Sequence, residues 1–334
     1  MKPRLAITIG DVNGIGPEII VKAFQTPELL TVCRPVIVGS VRALDTYAHY
    51  GQLTDRSARV TQSDLDSLPQ DAACILEPPG LPAPPILPGT ISVDAGRFAF
   101  QCVELAVRLA LNHQVDAVVT CPVSKTAVNM AGYRYAGHTE FLAELCQCPD
   151  YRMMLVAGAL RVVHLTTHLS LKNALSHVTS ARVADTIRLA HRALDQLGIE
   201  RPRIAVAGLN PHAGEGTLFG TEERDEIAPG IETARACGID VSGPFPPDTV
   251  FVQMSRGKFD AVIAMYHDQG HLPLKMVAFN RTVNVTLGLP IVRTSVGHGT
   301  AFDIAGKGIA DPTSLAEAVR LAATMATRRQ QVSQ

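Results

Sequence analysis

Short β-branched runs alternate with segments of 3.6-residue apolar periodicity along nearly the whole chain, and that alternation restricts the fold more than any other feature. It is the pattern of strands joined by crossover helices in a largely parallel sheet, an α/β architecture. The spacing predicts strands over Leu5–Ile9, Val36–Gly39, Ala117–Thr120, Met153–Ala157, Arg161–Thr166, Ile204–Gly208 and Phe259–Met265. Helices are expected over Glu18–Phe24, Ala95–Asn112, Arg182–Gln196 (opened by Thr179 or Ser180), Glu222–Cys237 and Ser314–Thr327. Repeated prolines between Pro78 and Pro88 remove N–H donors and fix φ, so this stretch is expected to run as an extended surface connection. With 334 residues the chain exceeds one typical domain, and two lobes are expected.

Composition sets further limits. A chain that is 46% hydrophobic and 18% charged can bury a large core. A net charge of -1 gives no general attraction to nucleic acid or to an anionic membrane, so an anionic ligand must be held by a local cluster of donors. No apolar run approaches the roughly 18 residues of a bilayer span. Met1-Lys-Pro-Arg4 leads into an apolar run too short for a signal peptide, and a cytoplasmic location is expected. The seven cysteines are scattered without a Cys-x-x-Cys pair, as reduced thiols in a reducing compartment would be. Cys121 follows a strand and reads as a small buried hydrophobe.

Three histidines each follow a predicted strand: His168, His212 and His267. Ligands of open α/β sheets bind outside the carboxyl ends of strands, so three such positions can converge on one point. Three imidazoles around an open position make a catalytic divalent-metal site, although each alone reads more readily as a hydrogen-bonded structural histidine, and it is their shared placement that brings the metal reading level. Asp268, beside His267, and Asp248, after Pro246-Pro247, are the candidate catalytic carboxylates, able to orient a ligand or accept a proton. Asp248 reads equally as a helix cap. His271, four residues after His267, stands as a candidate for the shell behind the ligands.

Anion-holding groups form a second set. His138 and Thr139 precede a helical run, where free N–H groups favour a phosphate or carboxylate, and Thr139 reads alternatively as a plain cap. Lys275, Asn284 and Arg293 fall in or beside the apolar stretch 272–292, where a cation needs a partner, either an anionic ligand or an internal carboxylate. The segment Gly10-Asp-Val-Asn-Gly-Ile-Gly-Pro-Glu18 is a strand-to-helix turn. Its spacing differs from Gly-x-Gly-x-x-Gly, and Pro17-Glu18 disfavours a pyrophosphate at that helix start.

Five blocks resemble those of the 4-hydroxythreonine-4-phosphate dehydrogenase family, in order and across nearly the whole chain. They are Gly10–Glu18, Gly137-His-Thr-Glu-Phe141, Asn210-Pro-His-Ala-Gly-Glu215, Tyr266-His-Asp-Gln-Gly270 and Val283–Ala301. The segment His298–Asp311 is also similar to the cofactor loop of isopropylmalate and isocitrate dehydrogenases. Two departures stand out: many family members read Val-Asp-His-Gly where this chain has Val296-Gly-His-Gly299, and Gly-Asp-Pro-Ala-Gly where it has Gly10-Asp-Val-Asn-Gly14.

The resemblance implies a two-domain fold of the isocitrate/isopropylmalate dehydrogenase type, in α/β/α layers with a cleft between domains. The domains implied are 1–127 with 280–334, carrying the cofactor loop, and 128–279, carrying the metal ligands and a dimer interface. It implies a divalent metal (zinc, magnesium or cobalt) on His168, His212 and His267, with ligands shared across a homodimer. His138, Thr139, Lys275, Asn284 and Arg293 are the implied contacts to a small phosphorylated substrate. NAD, with NADP as the alternative, is implied at a loop that includes His298, Gly299, Thr300, Asp303 and Lys307. The activity implied is oxidation and decarboxylation of 4-phosphooxy-L-threonine to 3-amino-2-oxopropyl phosphate in pyridoxal phosphate (vitamin B6) biosynthesis. Relatives acting on D-threonate or D-erythronate 4-phosphate, or on a terephthalate cis-dihydrodiol, share the scaffold. From other classes, a three-histidine hydrolase or aldolase would need no NAD, and a non-catalytic phosphate-binding module would have no use for the metal cluster.

Overall fold

The computed structural model describes residues 2–332 apart from 26, 52, 54–56 and 136. Its contacts divide the chain into two compact units, Met1–Pro149 with Leu289–Gln334, and Asp150–Gly288. Both divisions fall later than the 127/128 and 279/280 expected from the resemblance. His138 and Thr139 lie in the first unit because Phe141 of their helix stacks on Phe100, ring centroids 4.3 Å apart.

The strands of the first unit are β1 (Arg4–Thr8), β2 (Arg34–Val38), β3 (Ala58–Arg59), β4 (Cys74–Leu76) and β5 (Ala117–Thr120). The second unit supplies β6 (Arg152–Ala157), β7 (Leu160–His164), β8 (Ile204–Ala207), β9 (Val241–Phe245), β10 (Ala261–Ala264) and β11 (Val283–Leu287), and the chain then re-enters the first as β12 (Val292–Val296). Helices α1 (Gly16–Ala23), α2 (Glu28–Val32), α3 (Val41–Asp45), α4 (Val93–Leu111), α5 (Lys125–Met130) and α6 (His138–Leu145) belong to the first unit. Those of the second are α7 (Leu171–Leu175), α8 (Ser180–Gln196), α9 (Ala228–Ala236), α10 (Pro247–Ser255) and α11 (His267–Ala278), and α12 (Thr313–Val332) closes the first.

In the first unit the strand order β3-β4-β2-β1-β5-β12 is parallel throughout. Its central strands are buried along nearly their whole length, as β-branched runs covered by helices on both faces must be. Helix α4 begins where the Ser92 hydroxyl accepts from the Ala95 amide. It approaches α5 so closely that a Cβ at Gly96 would stand 2.4 Å from the Ala127 carbonyl carbon.

The second unit departs from the expected parallel pattern. Its order is β11-β6-β7-β10-β8-β9, with β6 antiparallel to both of its neighbours, β11 and β7, and with β7, β10, β8 and β9 parallel. Gly158, at φ +60°, supplies the left-handed residue that a two-residue hairpin between β6 and β7 requires. Five strands escape the alternation rule for local reasons, β3 because it has only two residues. Edge strand β9 contains Gly243 and Pro244, which read as a turn, and β12 contains a buried Arg293. Strand β4 has only three residues, and β11 carries Asn284 and Thr286 on alternate positions.

The helix expected over Glu222–Cys237 is a π turn, Glu223–Ile227, followed by α9. Pro229 has no N–H to return to the Asp225 carbonyl, so the α register gives way there. The stretch 78–88 has no regular structure, as its prolines require. No helix among the described residues is long and apolar enough to cross a membrane. Adjacent parallel strands β7, β10 and β8 end toward His168, His267 and His212 respectively, which places the imidazole-bearing loops at one end of the second unit's sheet.

Candidate active site

His267 opens α11, and its Nδ1 lies 2.7 Å from the Asp268 carboxylate. A carboxylate only accepts, so Nδ1 carries the proton and Nε2 keeps its lone pair, the tautomer a metal ligand needs. This commits Asp268 to orienting the ring, one of the two roles that its position in the sequence allowed. The His168 and His267 ring centroids are 6.1 Å apart. His271 stacks on His267 with centroids 3.6 Å apart and planes 13° from parallel. Behind them lies His164, fully buried on β7. Burial and the neighbouring imidazoles push His164 down to about 3 and His271 to about 4, so both are neutral at physiological pH.

His212 stands apart from that pair, with Phe219 6.0 Å from its ring and Glu215 3.5 Å from its Nδ1. Its loop is unusual: five consecutive residues, His212 to Gly216, hold positive φ, at 53°, 53°, 84°, 42° and 75°. Three of them have side chains that disfavour this conformation, so the surrounding bonds must hold the loop in place. Glu223 does so from the π turn, its Oε1 accepting from the Leu209 and Asn210 amides at 2.7 Å each and its Oε2 from Asn210 Nδ2. Gln269 of α11 donates to the Gly208 carbonyl at 2.8 Å, tying the start of this loop to the His267 turn. Among the described residues no three His, Cys, Asp or Glu side chains of one chain gather to hold a metal ion.

Asp248 lies exposed in the first turn of α10, where Pro246 occupies the cap position, so the capping alternative for Asp248 does not hold. Lys275 is half-buried on α11 with its Nζ 5.6 Å from the Phe279 ring centre. Asn284 on β11 has a buried Oδ1 that accepts no hydrogen bond from the protein.

In the first unit, Gly137 caps α6 without a side-chain bond, so Thr139 is an interior first-turn residue and not the cap. Arg293 on β12 is only 2% exposed and donates to Thr120 Oγ1 at 2.7 Å. Burial lowers its pKa to about 10, with Glu140 acting against the shift, so it stays charged. Burial and the Arg293 and Lys125 charges push His138 down to about 3, leaving a neutral ring with a buried Nε2 that has no protein partner. Arg293, Lys125 and His138 thus make an environment suited to an anion. Lys125, Glu140 and Thr120 were invisible as site residues in the sequence, because Arg293 meets Thr120 across 173 positions.

In the segment proposed for the cofactor, His298 Nδ1 donates to the Gly299 carbonyl at 3.0 Å and leaves Nε2 buried without a protein partner. That lone pair fits a ligand N–H donor. Asp303 and Lys307 are exposed. The N-terminal block Gly10–Glu18 underlies this loop. The Ile15 amide donates to the Thr300 carbonyl, and a Cβ at Gly14 would come within 3.0 Å of that same oxygen. Buried Glu18 accepts from Lys22 Nζ and from the Ala310 amide, each at 2.8 Å, while Lys22 also donates to the Gly308 and Ala310 carbonyls.

Asp11, in the same block, is fully buried and accepts from the Asn13 amide. Desolvation raises its pKa from the usual 3.8 to about 6. A carboxyl raised on folding contributes stability that is complete below 3.8 and lost as pH rises through about 6, because the folded state holds a proton the unfolded chain has released. Asp11→Asn keeps the amide acceptor and removes the titration. The variant should gain roughly 2 to 3 kcal/mol over wild type at neutral pH and lose that advantage toward pH 4. Urea unfolding of both chains across this range measures the difference, and parallel curves would show that Asp11 is ionised without penalty.

A family model, the pyridoxal phosphate biosynthetic protein PdxA, matches residues 31–322. A D-threonate 4-phosphate dehydrogenase of Cupriavidus necator is 47% identical over 335 residues, covering 98% of both chains. A 4-hydroxythreonine-4-phosphate dehydrogenase of Desulforapulum autotrophicum is 44% identical over 336 residues, covering 98% of this chain and 96% of its own. The crystal structure of a 4-hydroxythreonine-4-phosphate dehydrogenase from Klebsiella pneumoniae superposes with a TM-score of 0.84 at 43% identity, covering 98% of each chain. Fold and relatives together define an α/β enzyme of the dehydrogenase class. The chain belongs to the PdxA family.

Proposed function

We propose that the chain oxidises the C3 hydroxyl of a four-carbon, 4-phosphorylated 3-hydroxy acid and decarboxylates the 3-keto acid formed. D-threonate 4-phosphate is the favoured substrate, on the greater identity to the relative of that name. 4-Phosphooxy-L-threonine is the second reading, supported by the family model and by the relative that carries its name. The two differ at C2, a hydroxyl in one and an amine in the other. Loss of carbon dioxide would yield dihydroxyacetone phosphate from the first and 3-amino-2-oxopropyl phosphate from the second.

The observation that carries the reading is the His168 and His267 pair at the ends of adjacent parallel strands, with the His267 tautomer set by Asp268. These imidazoles, with His212 of a second copy of the chain, fit a divalent metal such as zinc, magnesium or cobalt, whose Lewis acidity would ease loss of the hydroxyl proton and of the carboxylate. NAD, or NADP, at the loop of His298, Gly299, Thr300, Asp303 and Lys307 would accept the C3 hydride. The residues of the chain bind and orient: Lys275 and Arg293 hold anionic ends of the substrate, and His138, Thr139 and Asn284 present neutral polar groups. His138 and Asn284 each retain a buried acceptor atom for a substrate donor. Asp268 keeps the His267 lone pair available, and Asp248 remains a candidate proton acceptor.

The test is NADH appearance with both substrates, D-erythronate 4-phosphate and a terephthalate cis-dihydrodiol, with and without added divalent metal. Reduction of NAD by one of the phosphorylated acids, dependent on metal, is expected. Turnover of a phosphorylated ligand without NAD would move the chain to the hydrolase or aldolase class.

Phosphate recognition makes a separate prediction. Lys275→Ala should weaken the phosphorylated substrate by roughly 1.5–3 kcal/mol, the range for a charge-assisted hydrogen bond, and an unphosphorylated analogue by less. Arg293 is buried, so Arg293→Ala should also destabilise the fold, and Arg293→Lys is the better probe of its binding role. Equal discrimination between the two ligands by wild type and Lys275→Ala would assign Lys275 to another group, such as the carboxylate.

A further inference from the structure

We propose that His164 is a positioning residue, which holds His271 as its Nδ1–H tautomer and through it orients the imidazole stack at the His168 and His267 site. His164 Nδ1 lies 3.3 Å from the Met153 carbonyl oxygen, and the antiparallel register of β6 and β7 sets these two residues opposite each other. A carbonyl only accepts, so Nδ1 carries the proton. In a neutral ring Nε2 is then an acceptor, and the atom 3.0 Å from it, His271 Nδ1, must donate. The second neighbour of that nitrogen, the His267 carbonyl oxygen at 3.1 Å, is also an acceptor and agrees with the same assignment. With His164 neutral, the protons of the relay follow from its fixed end, a backbone carbonyl inside the sheet.

The consequence reaches the site. With its proton on Nδ1, His271 carries its lone pair on Nε2, as His267 does under the hold of Asp268. The two rings stand four residues apart on α11 and lie nearly parallel. Free imidazole side chains favour the opposite tautomer, so the arrangement has to be imposed. His164 can impose it because it is fully buried, and because residue 270 is glycine: a Cβ there would fall 2.4 Å from His164 Nε2, in the space the relay uses.

The tautomer assignment stands on these distances and on the neutrality of the two rings, while its effect on a cation rests on the metal reading above. Long-range proton–nitrogen spectra of the full chain labelled with nitrogen-15 histidine report the tautomer directly, with His271→Asn used for assignment. Wild type should show His271 protonated at Nδ1 and bare at Nε2, and protonation at Nε2 would overturn the proposal. His164→Gln retains a side-chain oxygen that accepts from His271 and should keep the tautomer. His164→Leu has no acceptor and should lose it, with cobalt binding weakened about 10- to 100-fold, the effect of removing an outer-shell partner. A changed tautomer in His164→Leu with unchanged cobalt affinity would overturn the positioning role and leave the metal reading intact. A wild-type chain that binds no cobalt but shows the expected tautomer would support the relay and remove the metal reading.

Discussion

Mixing His212→Ala and His267→Ala chains, each inactive alone, should return about half of wild-type turnover per heterodimer once subunits exchange. The expectation follows from the proposed shared site. One chain sets His168 and His267 side by side, while its His212 neighbours Glu215 and Phe219 on a loop held by Glu223. If the metal takes His212 from a second copy, one of the two sites in the heterodimer recovers all three imidazoles and the other lacks two. If all three come from one chain, every site remains broken and no activity returns. Zero recovery, with exchange verified by mass spectrometry of tagged chains, would sink the shared site and leave any dimer a matter of stability.

The second large effect is structural. Glu18→Ala should lower stability by about 3–5 kcal/mol, because it removes the charge partner of Lys22 and the acceptor of the Ala310 amide from a fully buried position. Hydrogen exchange at the Ala310 amide should rise with it, since that donor would face no oxygen. Glu18→Gln keeps one acceptor and should fall between the two. If Ala310 exchanges in Glu18→Ala as slowly as in wild type, Glu18 does not hold the 308–310 segment. NAD affinity, measured on the same variants, asks whether this clamp also shapes the loop proposed for the cofactor.

Much of the frame was legible in the sequence, for reasons specific to each element. Strands β1, β5, β8 and β10 are short apolar runs covered on both faces, and such runs announce themselves through composition. Helix α8 carries a strong 3.6-residue pattern behind a Thr179 cap that accepts from the Arg182 amide, as its first residues promised. Strand β12 was missed because Arg293 interrupts its apolar run, and β9 because Gly243 and Pro244 read as a turn on what proves to be an edge strand. The rejection of a dinucleotide loop at Gly10–Glu18 rested on the glycine spacing and on Pro17-Glu18 at the helix start, and the structure supplies that segment with a different task, holding residues 300–310.

What the sequence by itself determined was the class of fold, the histidines that follow strands, and the membership in a dehydrogenase family that those motifs announced. These depend on local periodicity and on residue types close together in the chain, where a linear reading has access to the physics. Only the tertiary structure decided what those residues touch. Lys22 reaches the Gly308 carbonyl across 286 positions, Arg293 finds Thr120 across 173, and His271 meets His164 across 107. Each is a polar contact in or beside a buried core, where an unpaired group is costly and a partner must come from wherever the chain has been brought back. No local pattern encodes that return, so the protonation of a ring on α11 is governed by a carbonyl on β6.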